Sequence, residues 1–272
     1  MRVGAVACRA ALNKTGIPGY RYCLNPYVGC AHGCRYCYAA FMCRFAARGE
    51  AWGEFVDVKR NLVDALRGQL GSRRPPTGKV IVGTVTDAYQ PVEARTCLTR
   101  SCLELLADYP ALEVEILTKS NLVVRDLSLL ARLRGSVGFT ITVRDDRVAR
   151  ILEPGAAPPS ARLAAIRKLR EAGVDVWVFI APLLPGLGDR ARALRALLAD
   201  LRRAGVYEVH VDPLNPYPAV VRRLRAAYAT HFPEAVPHLE RYLSQPRSWT
   251  LAWKRAAEGL FREFGYTLGS SA

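Results

Sequence analysis

Long apolar runs are missing from this 272-residue sequence. No stretch reaches the roughly eighteen consecutive apolar residues that indicate a membrane-spanning helix, so no membrane partner is expected. The opening segment "MRVGAVACRAALNKTG" is followed by no convincing cleavage site. We therefore expect a cytoplasmic protein. In that reducing compartment, the eight cysteines are not expected to form disulfides.

Lysine and acidic residues are scarce compared with arginine. The sequence has 33 arginines, 6 lysines and 24 acidic residues, which gives a formal net charge of +15. The planar guanidinium group suits phosphate and carboxylate recognition, so this excess is consistent with nucleic acid as a partner. The arginines are spread along the chain, however. The amino-acid bias of a GC-rich genome or of a thermophilic organism also explains their number.

Apolar β-rich segments alternate with amphipathic helical segments from residue 79 onward. Strands are predicted at 79–86, 112–118, 137–143, 174–183 and 207–214, with one more before residue 30, and helices at 97–108, 124–134, 160–173 and 189–205. Ser160 and Gly173 are the expected caps of the third helix. Such alternation predicts a parallel sheet with right-handed crossovers, either doubly wound or barrel-like. Residues 215–272 lose the alternation and are predicted to form a helical extension of the same domain.

Polar side chains follow the predicted strands at their carboxyl ends, where parallel α/β folds gather functional residues. These are Thr84, Thr86, Asp87, Thr118, Lys119, Thr140, Thr142, Arg144, His210 and Asp212. Loops are polar in any case, so this pattern locates the functional end of the sheet without identifying a reaction.

Three cysteines lie within eight positions in "NPYVGCAHGCRYCYA", spaced C-x3-C-x2-C at Cys30, Cys34 and Cys37. Zinc would need a fourth ligand, for which His32 is available. A thioredoxin-like pair would use Cys34 and Cys37 but leave Cys30 unexplained. A [4Fe–4S] cluster normally takes four thiolates, so three would leave one iron open to a substrate or cofactor. The other cysteines are scattered, and Cys102 falls on an apolar helical stripe that predicts core packing.

With Tyr36 before its last cysteine, this loop resembles the cluster loop of radical S-adenosylmethionine (SAM) enzymes. More specifically, five segments resemble the spore photoproduct lyase-like group in order and spacing: "NPYVGCAHGCRYCYA", "GTVTDAYQPVE", "ILTKSNLVVRDLSLL", "LEPGAAPPSARLAAIRKLREAG" and "APLLPGLGD". The resemblance implies a partial (β/α)6 TIM-like barrel over 1–214, including the N-terminal segment, with the cluster loop after the first strand and a C-terminal helical extension over 215–272.

The resemblance also implies two cofactors, a [4Fe–4S] cluster and SAM, together with an electron donor such as ferredoxin or flavodoxin. Reductive cleavage of SAM would then give a 5′-deoxyadenosyl radical that abstracts a hydrogen atom. Carried over by position, the metal ligands are Cys30, Cys34 and Cys37, and the SAM-binding residues are Tyr36, Tyr38, Thr86, Asp87, Lys119 and Thr140. Among these, Tyr36 and Tyr38 would pack near the adenosine, Thr86 and Asp87 would contact the methionyl amino end, and Lys119 would meet the methionyl carboxylate. Glu153 and Arg162 fall in matching segments without an assigned role.

One position departs from the lyase. The lyase carries its hydrogen-donating cysteine two residues before a Ser-Asp pair, and here that position is Thr84, whose hydroxyl hydrogen is far harder to abstract. The sequence therefore predicts a radical SAM enzyme of lyase or oxidoreductase type with an unidentified substrate, for which nucleic acid is one candidate. The alternative is a non-catalytic iron–sulfur or zinc protein that binds nucleic acid or transfers electrons.

Overall fold

Six parallel strands in chain order form the centre of the protein. The computed structural model describes residues 1–46 and 49–268. Its strands are β1 Arg2–Val6, β2 Leu12–Lys14, β3 Tyr22–Leu24, β4 Tyr27–Gly29, β5 Phe55–Lys59, β6 Gly78–Val82, β7 Leu112–Thr118, β8 Gly135–Thr140, β9 Val176–Leu183 and β10 Glu208–Pro213. Its helices are α1 Leu62–Leu70, α2 Glu93–Thr96, α3 Leu98–Ala107, α4 Leu127–Leu130, α5 Asp146–Leu152, α6 Pro159–Glu171, α7 Ala191–Arg203, α8 Pro218–His231, α9 Val236–Ser244 and α10 Pro246–Glu263. Segments of 3-10 helix run over Tyr38–Phe45, Asn121–Asp126 and Pro233–Ala235.

The order of the main sheet decides between the two predicted architectures. Its strands lie in the order β2-β3-β6-β7-β8-β9-β10, parallel throughout from β3 to β10, with β2 antiparallel at the edge. A doubly wound sheet would reverse its strand order at a switch point. This sheet never reverses, so it winds in one direction as a barrel does. The prediction of a partial (β/α)6 barrel is confirmed.

Alternation along the strands separates a core face from an inner face. The core face contributes, among others, Val80, Val82, Val114, Ile116, Val137, Phe139, Val178 and Ile180, which pack with α3, α6 and α7. Cys102 is buried in this core, as its helical stripe predicts. The residues that alternate with these along the strands, such as Cys23 and its cross-strand neighbour Ile81, lie on the inner face of the barrel.

A second, smaller sheet leads into the cysteine loop. Strands β1 and β5 pair in parallel, and β4 pairs with β5 antiparallel. The resemblance implied that the loop follows the first barrel strand, which is β3. The loop instead follows β4, which comes after β3 in the chain. At the end of β4, Gly29 has a φ of +81° and lies against β5 so closely that a Cβ would be 2.4 Å from the carbonyl oxygen of Phe55. A glycine is therefore required where the chain turns into the loop.

Two local predictions were wrong in detail. The helix expected over 124–134 is a 3-10 segment followed by the four-residue α4, and it begins where the Ser120 side chain accepts a hydrogen bond from the Leu122 amide. The helix α6 is capped by Pro158 rather than Ser160, whose hydroxyl instead donates to Asp146. Gly173, with a φ of +77°, does follow its C-terminal end.

The C-terminal helices reach the cysteine loop. A second apolar cluster combines Cys34 and Tyr36 of the loop with Val220 and Leu224 of α8 and Leu239 of α9. The boundary at residue 214 stays a prediction, and residues 269–272 of the expected extension lie outside the described part of the chain. Among the described helices, none has the length and apolarity to cross a membrane.

Candidate functional site

The three clustered cysteines lie together between β4 and the 3-10 segment. Cys30 and Cys34 are buried, and Cys37 is half-buried. Burial raises the pKa of Cys30 to about 12, and the charges of Asp87 and Cys37 add to it. Burial likewise raises the pKa of Cys34, with contributions from Cys37 and Cys30. Three neighbouring thiolates in such a site would repel one another, so the donor set suits a group that carries positive charge.

The arrangement of these thiols bears on the type of metal group. Across residues 1–46 and 49–268, no three Cys, His, Asp or Glu side chains converge as the ligands of one metal ion would. All eight cysteines lie in the described residues, and none is paired in a disulfide. Three thiols on one loop, two of them buried and one half-buried, fit a cluster in which each thiolate binds a separate iron.

The end of β6 holds the start of the loop. The Thr86 hydroxyl donates to the Gly29 carbonyl at 2.6 Å, and the Gln90 side-chain carbonyl accepts from the Ala31 amide at 2.8 Å. The Gln90 amide nitrogen also donates to the Thr86 hydroxyl at 2.9 Å. Gln90 is fully buried, so its hydrogen bonds are made in a low-dielectric environment. The sequence analysis did not single out Gln90, although it lies in the segment "GTVTDAYQPVE".

The end of α5 holds the middle of the loop. The Arg35 amide donates to the Leu152 carbonyl at 2.8 Å, and the Gly155 amide donates to the His32 carbonyl at 3.0 Å. A Cβ on Gly155 would lie 2.2 Å from the carbonyl oxygen of Ala31. The loop backbone therefore rests directly on Gly155, which explains why the segment "LEPG" accompanies the cysteines.

Asp87 joins the loop to the end of β7. Its Oδ1 accepts from the Thr118 hydroxyl at 2.7 Å and from the Tyr89 amide at 2.9 Å, and its Oδ2 accepts from the Lys119 amide at 2.7 Å. The Nδ1 of His32 lies 3.4 Å from Oδ2 but makes no hydrogen bond. Burial lowers the pKa of His32. Asp87 thus orients two predicted site segments at once.

Lys119 extends over the ring of Tyr36. Its Nζ lies 5.7 Å from the ring centroid, and it makes no hydrogen bond or ion pair within the described residues. Burial lowers the pKa of Lys119, but the charges of Cys34, Glu153 and Cys37 outweigh burial and raise it overall. A charged ammonium group with unused donors therefore lies beside the cysteine loop.

A buried ion pair lies beneath Tyr36. The Tyr36 hydroxyl donates to Glu153, which pairs with the fully buried Arg162. The same hydroxyl lies 3.0 Å from the Thr142 hydroxyl. Arg162 also donates to the Thr140 carbonyl at 2.9 Å, so it fixes the backbone of β8 at that residue. Glu153 and Arg162, which had no assigned role, support two of the predicted SAM contacts.

Tyr38 and Thr84 lie at the mouth of the barrel. The Tyr38 hydroxyl donates to the Thr84 carbonyl at 2.5 Å, and Asn25 accepts from the Thr84 amide at 2.9 Å. Burial raises the pKa of the Cys23 thiol on β3, and the neighbouring Thr84 side chain partly offsets this. Burial of the Tyr38 hydroxyl, with the charges of Cys37, Cys23 and Tyr217, raises its pKa to about 12.

Exposed aromatic side chains lie on the 3-10 segment that follows the cysteine loop and just before α8. We use the term aromatic rim for Tyr38, Phe41 and Phe45 on the 3-10 segment and Tyr217 before α8, which are 42%, 46%, 54% and 56% exposed. Arg44 stacks between two of them, with its guanidinium carbon 5.3 Å from the centroid of Phe41 and 4.7 Å from that of Phe45. Four exposed aromatic side chains, three of them on one 3-10 segment, make this surface a candidate interaction site.

His210 lies apart from these groups. It is exposed on β10, with its Nε2 2.7 Å from Glu208, and it meets the ring of Trp177 edge-on at 5.5 Å. The other predicted site residues, namely Cys30, Cys34, Cys37, Tyr36, Tyr38, Thr86, Asp87, Lys119 and Thr140, lie on the loop, on its 3-10 extension or at the strand ends that contact them.

Comparisons with known proteins show the family of this chain and proteins that share its fold. The family model of the Radical SAM superfamily matches residues 24–199. An uncharacterized protein of Methanocaldococcus jannaschii is 37% identical over 185 residues, which cover 68% of each protein. An uncharacterized protein of Mycobacterium tuberculosis is 38% identical over 222 residues, 77% of this chain and 64% of that protein. The match to the mycobacterial relative thus leaves more than a third of it uncovered.

Two solved structures share the fold. Spore photoproduct lyase complexed with dinucleoside spore photoproduct superposes with a TM-score of 0.65 and 20% identity, covering 84% of this chain and 66% of that chain. Streptococcus suis SuiB bound to S-adenosylmethionine gives a TM-score of 0.52 with 14% identity, covering 77% of this chain and 46% of that chain. At these identities the likeness concerns the fold.

Proposed function

Because this chain belongs to the radical SAM superfamily, we propose that its cysteine loop and strand ends form the active site of a radical SAM enzyme acting on nucleic acid. Its cofactors, by family, are a [4Fe–4S] cluster and SAM. When bound, this pair supplies reductive cleavage of SAM to a 5′-deoxyadenosyl radical. In our proposal Cys30, Cys34 and Cys37 hold the cluster on a firmly anchored loop, and the burial of Cys30 and Cys34 limits the access of water to it.

Lys119 is the residue we assign to the methionyl carboxylate. The observation that carries this assignment is its ammonium group, which faces Tyr36 and keeps all its donors unused among the described residues. A charged donor paired with a carboxylate forms one of the stronger hydrogen bonds in proteins. The buried charges of Glu153 and Cys34 keep Lys119 protonated for that purpose.

Thr86 and Asp87 are assigned to the methionyl amino end. A carboxylate has about four acceptor positions, and Asp87 uses three of them for Tyr89, Thr118 and Lys119. One position on Oδ2 is left for a further donor such as an ammonium group. We assign Tyr36 and Tyr38 to the adenosine, and Thr140, whose carbonyl Arg162 fixes, to a further SAM contact.

Cleavage of SAM is tested after anaerobic reconstitution with iron and sulfide. Dithionite and SAM are then added, and 5′-deoxyadenosine is measured. We expect the product from the parent protein and from Cys8→Ala, a matched thiol outside the site. Cys34→Ala is expected to lose both the brown colour and the product. A properly assembled cluster without 5′-deoxyadenosine would favour the alternative, a non-catalytic iron–sulfur protein.

Nucleic acid is the substrate class that the aromatic rim supports. Bases stack on exposed aromatic side chains whatever their sequence, and arginine adds charge attraction to the backbone. Arg44 between Phe41 and Phe45 combines both interactions within the aromatic rim. The net charge of +15 favours a polyanion in the same way. The solved lyase carries a dinucleoside photoproduct, which is a nucleic-acid-like ligand.

The substrate proposal is tested by binding of labelled single-stranded DNA and RNA. Stacking of one base is worth about 1–3 kcal/mol, so Phe41→Ala with Phe45→Ala is expected to weaken binding by about tenfold or more. Tyr207→Ala is the matched control, because Tyr207 is also exposed and stacked by two arginines but lies elsewhere, after α7. Equal affinities of the rim variant and the parent, or binding of peptides in preference to both nucleic acids, would contradict the proposal.

A further inference from the structure

Arg223 connects the C-terminal helices to the cysteine loop. It lies on α8, and its Nη2 donates a hydrogen bond to the carbonyl oxygen of Cys37 at 3.0 Å. The same oxygen accepts from the Ala40 amide at 3.4 Å. Residues 37 and 223 are 186 positions apart, and the family model ends at residue 199. Arg223 therefore lies outside the family match, whereas Cys37 lies within it.

Three thiols lie close enough to Arg223 to act on its charge. Its Nε is buried and has no hydrogen-bond partner among the described residues. Burial lowers the pKa of Arg223, whereas the neighbouring groups that raise it are the thiols of Cys37, Cys43 and Cys34. The neighbouring Arg222, which carries a like charge, lowers that pKa further. An arginine stays protonated under these conditions, so a fixed positive charge lies behind the loop.

We infer that Arg223 is a positioning residue that raises the reduction potential of the cluster held by Cys37. The inference depends on the cluster of the proposed function but not on its nucleic-acid substrate. Reduction adds one electron from a low-potential donor, and no bond forms or breaks. A nearby fixed cation stabilises the more negative, reduced state more than the oxidised one. A hydrogen bond behind a ligand and a charge beside it are known means of tuning such centres.

The test is a redox titration of the reconstituted protein without SAM or nucleic acid. The reduced cluster is monitored by electron paramagnetic resonance at each potential. Arg223→Gln keeps a hydrogen-bonding side chain but removes the charge. We expect its midpoint potential to fall by at least about 59 mV, which corresponds to a tenfold change in the equilibrium constant of one-electron reduction. Arg223→Lys keeps the charge and is expected to shift the potential less. Arg222→Gln is the matched control, because Arg222 precedes it on α8 and is exposed.

An Arg223→Gln protein with a full cluster and an unchanged potential would overturn the inference, as would an equal shift in Arg222→Gln. If Arg223→Gln fails to assemble a cluster, the cluster content and midpoint potential of Arg223→Lys test the inference instead. The inference requires that the lysine variant hold a full cluster with a potential near that of the parent, and loss of the cluster there would overturn it. A parent that binds the cluster but cleaves no SAM would refute the proposed function and leave this measurement valid.

Discussion

Glu153 pairs with Arg162 in the interior, where the side chains are 2% and 0% exposed. The pair is completed by the Tyr36 hydroxyl on one side and by the carbonyl groups of Ala157 and Thr140 on the other. Removing either partner of a buried ion pair is strongly destabilising, because the remaining charge is left buried and uncompensated. The pair therefore ties the last part of the cysteine loop to β8 and α6.

We predict that Glu153→Gln destabilises the protein by about 3–5 kcal/mol, since Arg162 would remain buried and charged. Chemical denaturation measures the free energy of unfolding directly. Glu240→Gln, which breaks the exposed pair with Arg225, is the matched control and is expected to have little effect. Similar losses in the two variants would mean that the burial of the pair has no energetic consequence.

The same pair predicts how stability depends on pH. Burial alone would raise the pKa of Glu153, but Arg162 and Lys119 outweigh it and lower the pKa. A group with a depressed folded-state pKa contributes stability that is complete above its unfolded-state pKa, about 4.3, and is lost as the pH falls toward the folded-state pKa.

We therefore expect the iron-free parent to lose stability below about pH 4.3 more steeply than Glu153→Gln does. Denaturation of both proteins over this range checks the expectation, and removal of iron prevents acid loss of the cluster from contributing. Parallel curves for the parent and the variant would contradict the assignment of this effect to Glu153.

The sequence predicted the barrel well because its strands have strong local patterns. In β7, Leu112, Val114 and Ile116 alternate with polar residues and are buried as that alternation requires. The small sheet was not predicted, because β1 is mostly exposed and pairs with β5, which lies about fifty residues away. A short exposed strand carries little periodic signal, and its pairing depends on distant residues.

The site was predicted in part for the same reason. The cysteine spacing and the strand-end residues are local patterns, so they could be read from the sequence. Gln90, Gly155 and Arg223 act on the loop from 59 or more positions away, and a long-range hydrogen bond leaves no local pattern. The Ser160 cap failed because Pro158 and Pro159 already fix the start of α6.

Lys119→Met is predicted to weaken SAM binding by about ten- to a hundredfold, the range for loss of a charged hydrogen bond of about 1.5–3 kcal/mol. Calorimetric titration of the cluster-loaded protein with SAM measures the affinity. Iron content is expected to stay unchanged, because Lys119 is not a ligand in our proposal. Lys168→Met, an exposed lysine on α6, is the control. Unaltered SAM affinity in Lys119→Met would remove this residue from the site.

Gln90→Leu is predicted to reduce both stability and cluster content. The change leaves the Ala31 amide without its side-chain acceptor, and an unsatisfied buried group costs about 1–3 kcal/mol. The start of the loop would then keep the Thr86 hydrogen bond to Gly29 but lose the Gln90 hydrogen bond on the other side of Cys30. Iron and sulfide per chain, measured with the free energy of unfolding, separate the two effects.

Gln69→Leu provides the matched control for that prediction. The Gln69 side chain accepts hydrogen bonds from the Ala11 and Leu12 amides and donates one to the Leu12 carbonyl. These hydrogen bonds lie beside β2 rather than at the cysteine loop. We expect Gln69→Leu to destabilise the protein by a similar amount and to retain its full cluster. If both variants lost iron in proportion to their loss of stability, Gln90 would be a general structural residue rather than one that positions the cysteine loop.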